Sequence, residues 1–303
     1  MGVDAEHRHV VSAGATRDRG HLRGTLLTVA GVALISPDAA LVALIDVDAA
    51  TLMVWRGVGV GLVLSALVLV LRGPRAFAEV AASGPLGLVA IACLATSQSM
   101  WSTALTHTDP SHVLVIVATA PLFGALASRL LIGERIRPAT AMALALVAVA
   151  IVASAGFGGG GHWTGDLAAL AVAVALGVGF TAIRALRLAD VAPHLAVSAI
   201  LVAVVAAALL DVRPVPADSV PALALLVGAV LPAALLLIGT GPRFIPAPEA
   251  ALILLLEAPL GAMFLWLLAS QPPTPQAMVG GGILVATLAV HTVWVTRHPL
   301  PGR

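Results

Sequence analysis

Long apolar runs separated by short polar segments are the main pattern of this sequence. A membrane-spanning helix needs about 20 consecutive apolar residues, so the pattern predicts an all-α polytopic membrane protein with ten transmembrane helices. The ten predicted spans are residues 24–45, 51–71, 85–106, 111–131, 139–155, 164–186, 194–210, 219–241, 247–269 and 276–296. The polar segments 1–23 and 297–303 are expected to be cytoplasmic tails.

The composition agrees with a chain that lies mostly in lipid. Of its 303 residues, 60% are hydrophobic and 10% are charged, whereas an average soluble domain carries about 25% charged residues. The net charge of +1 offers no basic surface for nucleic acid. Lys, Tyr and Asn are absent. Because these three residues have A/T-rich codons, we infer a GC-rich bacterial genome and expect the protein in the bacterial plasma (inner) membrane.

The residues that the sequence lacks exclude several chemistries. Without lysine there is neither a Schiff-base enzyme nor a Walker-type phosphate loop. The single cysteine, Cys93, excludes a disulfide framework and a thiolate metal cluster. No two histidines have the i, i+4 spacing of a zinc-binding helix. We therefore expect no catalytic residue, no metal and no cofactor.

The arginines give the orientation of the chain. Cytoplasmic loops of membrane proteins carry an excess of basic residues. With ten spans and both termini inside, the outer side holds only Arg213, and Arg56 lies within the second span. Fourteen arginines then fall on the cytoplasmic side: Arg8, Arg17, Arg19, Arg23, Arg72, Arg75, Arg129, Arg135, Arg137, Arg184, Arg187, Arg243, Arg297 and Arg303.

The two halves of the chain share a motif. The fourth span contains Ala120-Pro121-Leu122 and the ninth contains Ala258-Pro259-Leu260, so the two prolines are 138 residues apart (259 − 121). Repeat units of five helices must enter the membrane in opposite orientations, an architecture that recurs in transporters. We therefore expect two inverted five-helix repeats, over residues 24–155 and 164–296.

With these motifs in order, the chain resembles the EamA family of the drug/metabolite transporter superfamily. The matching residues are Trp55-Arg56, Ala120-Pro121-Leu122 followed by Gly133-Glu134-Arg135, and Ala247-Pro248-Glu249-Ala250-Ala251 leading to Glu257-Ala258-Pro259. The second half departs from the family pattern, since it lacks a Gly-Glu pair after the ninth span and has Ala-Pro where Glu-Pro is more usual. The resemblance implies ten helices in two repeats around a central cavity, lined by helices one, three, four, six, eight and nine.

Two opposite charges are predicted to meet near the outer side of the membrane. Asp38 in the first span and Arg56 in the second each lie roughly 8–10 Å below the outer boundary, at 1.5 Å rise per residue. Since the two helices are consecutive and antiparallel, an ion pair between them is expected. It either holds two helices together or takes part in substrate binding. Pro37 is expected to interrupt the first helix and free a carbonyl group, and Pro121 and Pro259 are expected to break the fourth and ninth helices.

Glu257 is the other carboxylate predicted at membrane depth, two residues before Pro259. A mid-membrane carboxyl can bind and release protons. It is therefore a candidate for proton coupling or for binding a substrate amine, and the alternative is a protonated side chain that hydrogen-bonds a neighbouring helix. Glu249, near the inner end of the same span, is interpreted as an interfacial carboxylate.

Polar side chains in the third and fourth spans complete the candidate site. Gln98, Trp101 and Ser102 fall on one helical face, as do His112 and Thr119. They are expected either to line a cavity for a small solute or to form interhelical hydrogen bonds.

These features favour a secondary transporter, an exporter or exchanger, that moves a small organic metabolite by alternating access, with protons as the candidate coupling ion. The alternatives are a polytopic membrane enzyme acting on a lipid-linked substrate, for which the loops are too short, or a lipid scramblase. The expected partners are the small-molecule substrate and the lipid bilayer. A monomer suffices to enclose a cavity, and a homodimer is also compatible with the sequence.

Overall fold

A computed structural model of the chain describes residues 20–133, 163–186, 191–241 and 256–273 continuously, with isolated residues between and beyond these ranges up to 293. All secondary structure in these ranges is helical. We number the helices α1 (20–35), α2 (Asp38–Ala43), α3 (Ala49–Arg72), α4 (Arg75–Ala82), α5 (Gly84–His107), α6 (Pro110–Val117), α7 (Ala120–Ile132), α8 (Trp163–Ala185), α9 (Ala192–Leu209), α10 (Val220–Leu225), α11 (Leu231–Thr240) and α12 (Glu257–Ala269). A π-helical segment, Leu226–Val230, joins α10 to α11.

In the described ranges, seven helical stretches are long and apolar enough to cross a membrane. They are α1 with α2, α3, α5, α6 with α7, α8, α9, and α10 with α11, and they confirm seven of the predicted spans. The ninth span is described in its second half as α12. Nearly all of the fifth span lies outside the described residues, and the tenth is described only in pieces, so ten spans remain a prediction.

The structure places helix breaks at or just before the prolines of the first and fourth spans. The first span breaks at Ser36–Pro37, where proline has no backbone N–H to continue the helical ladder. The fourth breaks at Ala118–Thr119, and Pro121 is then accommodated in the first turn of α7. In the ninth span, a turn at Leu256 precedes α12, and Pro259 is the third residue of that helix.

Glycine allows α3 and α8 to approach their neighbours closely. A Cβ on Gly57 would lie 2.6 Å from the carbonyl oxygen of Ala199 in α9, and one on Gly59 would overlap Val227 of the π-helical segment. A Cβ on Gly177 in α8 would lie 2.5 Å from the backbone nitrogen of Gly124 in α7. Small residues at such positions are typical of helix packing in membranes, where close backbone approach drives association.

Hydrogen bonds fasten the loops at one end of the bundle. Asp48 caps α3 by accepting a bond of 2.9 Å from the Thr51 backbone N–H, and the Thr51 hydroxyl donates to its other oxygen at 3.0 Å. The backbone N–H of Arg213 donates to the Thr51 hydroxyl at 2.9 Å. Burial by itself raises the pKa of the Asp48 carboxyl, but the bonds from Thr51 and the charge of Arg213 outweigh burial and lower it below its usual value. This network joins the start of α3 to the segment that follows α9.

Candidate functional site

Asp38 and Arg56 form the predicted ion pair. The guanidinium donates from Nη1 to Oδ1 at 2.5 Å and from Nη2 to Oδ2 at 2.9 Å. The side chains are 4% and 13% exposed, respectively. Asp38 is the first residue of α2 because the Ser36–Pro37 break ends α1 just before it. The fork-to-fork geometry is the strongest arrangement available to an arginine and a carboxylate.

Glu257 reaches the same region from α12. This helix packs against α2 and α6, and Gly261, one turn after Glu257, makes the contact. A Cβ on Gly261 would lie 2.8 Å from Cδ1 of Leu114 in α6 and 3.5 Å from the carbonyl oxygen of Ser36. Glu257 is half-buried and lies near enough to Asp38 for the two carboxyl groups to interact electrostatically. The site therefore holds two carboxylates and one guanidinium.

The helices α2 and α12, which carry Asp38 and Glu257, each begin at a break, and α6, which packs against α12, ends at one. The breaks are Ser36–Pro37 before α2, Ala118–Thr119 before α7 and the turn at Leu256 before α12. Thr119 is buried, and its hydroxyl donates to the carbonyl oxygen of Ile116 at 2.6 Å, across the break. In membranes, irregular backbone is tolerated where protein covers it or where it lines a cavity. Two of the three breaks thus lie directly before the helices that begin with the charged residues Asp38 and Glu257.

The break in the fourth span changes one expectation. His112 lies in α6, whereas Thr119 lies in the turn between α6 and α7. Because α6 ends at Val117, the seven-residue spacing no longer fixes the directions of the two side chains, and their sharing of one face stays a prediction. The Nε2 atom of His112 is buried and has no hydrogen-bond partner in the part of the chain that the structure describes.

The polar residues Gln98, Trp101 and Ser102 of α5 make different contacts. Gln98 donates from Nε2 to the hydroxyl oxygen of Ser198 in α9 at 2.8 Å. The hydroxyl of Ser102 is buried and donates to the Gln98 carbonyl oxygen within the helix at 3.4 Å. Trp101 belongs to the main buried cluster, and among the described residues its indole N–H finds no acceptor. Gln98 thus makes an interhelical bond, and Trp101 retains an unused donor.

Some contacts were not predicted from the sequence. Ser198 is a single hydroxyl in the apolar seventh span, and its isolation there is the signal that could have identified it as a hydrogen-bonding residue. The Arg184 guanidinium donates to the Ser128 hydroxyl at 2.8 Å and the Thr181 hydroxyl donates to the Gly124 carbonyl oxygen at 3.2 Å, so both bonds cross from α8 to α7. Glu249 lies outside the described residues.

Comparisons with known proteins agree with this architecture. The model of the EamA-like transporter family matches residues 22–155. No curated protein matches the chain. One solved structure, described as "Crystal structure of protein", covers 91% of this chain and 99% of its own, with 23% sequence identity and a TM-score of 0.63. At that identity the likeness shows a shared fold alone.

The family match covers the first of the two expected repeats, and the apolar helices make the protein a multi-pass membrane protein. Residues 22–155 are thus similar to the EamA-like transporter family, a family of the drug/metabolite transporter superfamily.

Proposed function

We propose that the protein is a secondary transporter of a small organic metabolite in the bacterial plasma membrane, working by alternating access between two inverted five-helix repeats. The observation that carries the proposal is the buried Asp38–Arg56 pair beside Glu257, with both carboxylates at the start of helices that follow a break. Charges at membrane depth are costly and are characteristic of substrate and ion pathways.

The helix interruptions support the inverted repeat. The turn at Ala118 precedes Pro121, and the turn at Leu256 precedes Pro259, each by three residues. The two turns are therefore separated by the same 138 positions as the prolines (256 − 118). On this alignment Thr119 and Glu257 are equivalent positions, so the two repeats supply a hydroxyl and a carboxyl at corresponding breaks. Transporters with inverted repeats commonly bind their substrate at such discontinuous helices.

The exterior of the bundle supports transport rather than a lipid-facing activity. Exposed side chains along the spans are mainly aliphatic, among them Leu62, Val70, Leu88 and Val204. The membrane-depth charges instead face neighbouring helices. A scramblase would need a polar groove open to lipid, and nothing in the described ranges favours one.

Glu257 is our candidate for proton coupling. The titratable or charged groups on the elements packed against α12 are Asp38 of α2, with its partner Arg56, and His112 of α6. Arg56 already neutralises Asp38 through two hydrogen bonds. Glu257 has no hydrogen bond or ion pair within the described ranges, so its carboxyl can gain and lose a proton without breaking a described bond.

Proteoliposomes loaded with a defined mixture of amino acids, polyamines, nucleosides and sugar phosphates test the proposal, with efflux followed by mass spectrometry. We expect at least one compound to leave only from vesicles that contain the protein, at a rate that depends on pH. Glu257→Gln should remove the pH dependence, whereas Glu79→Gln, at an exposed carboxylate of α4, should not. The variant His112→Gln shows how much of the pH dependence of efflux comes from this histidine rather than from Glu257.

Two outcomes of this experiment would contradict the proposal. The absence of protein-dependent efflux for every compound would overturn the transport function. An unchanged pH profile in Glu257→Gln would overturn the role of Glu257 and leave transport standing.

A further inference from the structure

Among the described residues, the charges at the centre of the site do not balance. Asp38 is neutralised by Arg56 through both of its oxygens, while no described cation pairs with Glu257. When Glu257 is ionised, the three groups carry one excess negative charge. A buried excess charge is costly unless something compensates it, and a proton or a cationic ligand would do so.

One end of the bundle carries the same sign of charge. We call it the acidic end: α2, α5 and α9 end there, and α3, α6 and α8 begin there. Among the described residues, its loops and first helical turns hold one arginine, Arg213, and six aspartates. These aspartates are Asp46, Asp48, Asp109, Asp166, Asp211 and Asp218.

The opposite end, which we call the arginine end, has the reverse balance. The described part of the chain places Glu79 there with five arginines, namely Arg23, Arg72, Arg75, Arg129 and Arg184. A wall of one sign of charge around a low-dielectric interior attracts ions of the other sign and raises their local concentration. The acidic end therefore attracts cations, and the arginine end repels them.

The site residues lie at different depths below the acidic end. Asp38 is six residues from Leu44, the C-cap of α2, and Glu257 is twelve residues from Ala269, the last residue of α12. At 1.5 Å per residue, the two carboxyl groups start roughly 9 and 18 Å below that end. A cation that passes the aspartates would meet the Asp38–Arg56 pair first and the unpaired Glu257 next, so the negative charge continues inward.

We propose, building on the transport function above, that the substrate carries a positively charged ammonium group, which passes through the acidic end and binds beside Glu257 and Asp38. The carboxylate of Glu257 supplies the counter-charge, and Asp38 contributes a lone pair that its bonds to Arg56 leave available. Charge-assisted hydrogen bonds of this kind are the strong ones inside a protein.

The full chain, purified in detergent, tests this proposal by thermal unfolding. The probes are methylammonium, butylammonium and 2-phenylethylammonium chlorides, each compared with the sodium carboxylate of matching size at constant ionic strength. We expect at least one ammonium to raise the Tm and no carboxylate to do so. Glu257→Gln should weaken that ammonium's apparent affinity about tenfold or more, while Glu79→Gln, which removes one carboxylate at the arginine end, should leave it unchanged.

A second variant protects the test against a folding defect. Glu257→Asp keeps the charge and should retain the ammonium-dependent rise in Tm, even if Glu257→Gln does not fold. A titration in which sodium chloride replaces potassium chloride, with the Tm measured at each step, shows whether the site binds an inorganic cation instead. A rise in Tm with sodium alone, a rise with carboxylates, a rise that survives in Glu257→Gln, or no rise with any ammonium would overturn the proposal.

The efflux experiment separates this proposal from the transport function. Efflux of neutral or anionic compounds only would overturn the ammonium specificity and leave the transporter standing. Ammonium binding without efflux of any compound would overturn the transporter and leave the cation site standing.

Discussion

At the residue scale, the Asp38–Arg56 pair exchanges hydration for two short hydrogen bonds. Burying the charges costs several kcal/mol per ion before their attraction repays it, and removing one partner leaves the other charge uncompensated. Both side chains are almost fully covered. The pair is therefore costly to break from either side and less costly to remove as a whole.

The first prediction follows from this asymmetry. Asp38→Asn and Arg56→Gln should each lower stability by about 3–5 kcal/mol, while the double variant should lose less than the sum of the two. The thermal unfolding of the four purified proteins, including the parent, gives the coupling between the two residues. Additive effects would show that the pair contributes little to holding α2 against α3.

At the element scale, the contact between α7 and α8 depends on the absence of a side chain. A Cβ on Gly177 would collide with backbone atoms of Gly124 and Ala120, which cannot move without shifting the helix. The crossing bonds of Thr181 and Arg184 lie on the same seam, so a displaced helix would also strain them.

Gly177→Ala should therefore destabilise the protein by about 1–3 kcal/mol, the usual cost of overpacking. Gly228→Ala is the matched control, because nothing lies within 4 Å of the position a Cβ would take there. That control should keep or slightly raise the Tm, since alanine favours a helix over glycine by about 1 kcal/mol. Equal losses in the two variants would contradict the close contact.

A second prediction at this scale concerns the cap of α3. Asp48→Ala removes the acceptor for the Thr51 N–H and should cost about 1 kcal/mol. Asp48→Asn retains an N-cap acceptor and should cost less, because asparagine caps helices about as well as aspartate. Thermal unfolding of both variants at neutral pH measures the difference.

The same carboxyl gives a pH dependence with a defined sign. The folded state lowers the pKa of Asp48 below its usual 3.8, so its contribution is fully present above that value and is lost as pH falls through the lowered pKa. The parent should therefore lose stability in this acid range more steeply than Asp48→Asn. Parallel Tm curves for the two proteins would show that Asp48 contributes nothing to the acid sensitivity.

At the scale of the whole molecule, the two oppositely charged ends fix an orientation. Basic residues favour the cytoplasmic side of a membrane, so the arginine end should lie inside the cell and the acidic end outside. In a Cys93→Ser background, Asp218→Cys should react with a membrane-impermeant maleimide in intact cells, and Glu79→Cys only after permeabilisation. Both residues are exposed at their ends of the bundle. Labelling in the reverse pattern would invert the topology.

The sequence predicted the site where local rules suffice. Asp38 and Arg56 lie at equal depth on consecutive antiparallel helices, so their pairing followed from chain order alone. Pro37 and Pro121 predicted helix breaks because proline removes a backbone donor. The bond from Gln98 to Ser198 spans 100 residues and depends on α9 lying beside α5, which no local pattern specifies. For the same reason, the closeness of Glu257 to Asp38 could not be predicted from the sequence.

The glycines of α3 have a mechanical consequence for Arg56. Gly57 contacts the backbone of α9, and Gly59 contacts Val227 of the π-helical segment, so α3 packs closely against two neighbours within the turn that follows Arg56. Sliding or rotation of α3 would break both of these close contacts. The helices α3 and α9 and the π-helical segment must therefore move together as one rigid block, and the Arg56 guanidinium moves with them. Asp38 belongs to α2, outside that block. Its ion pair with Arg56 connects α2 to this block, and any displacement of α2 away from the block begins by breaking the ion pair.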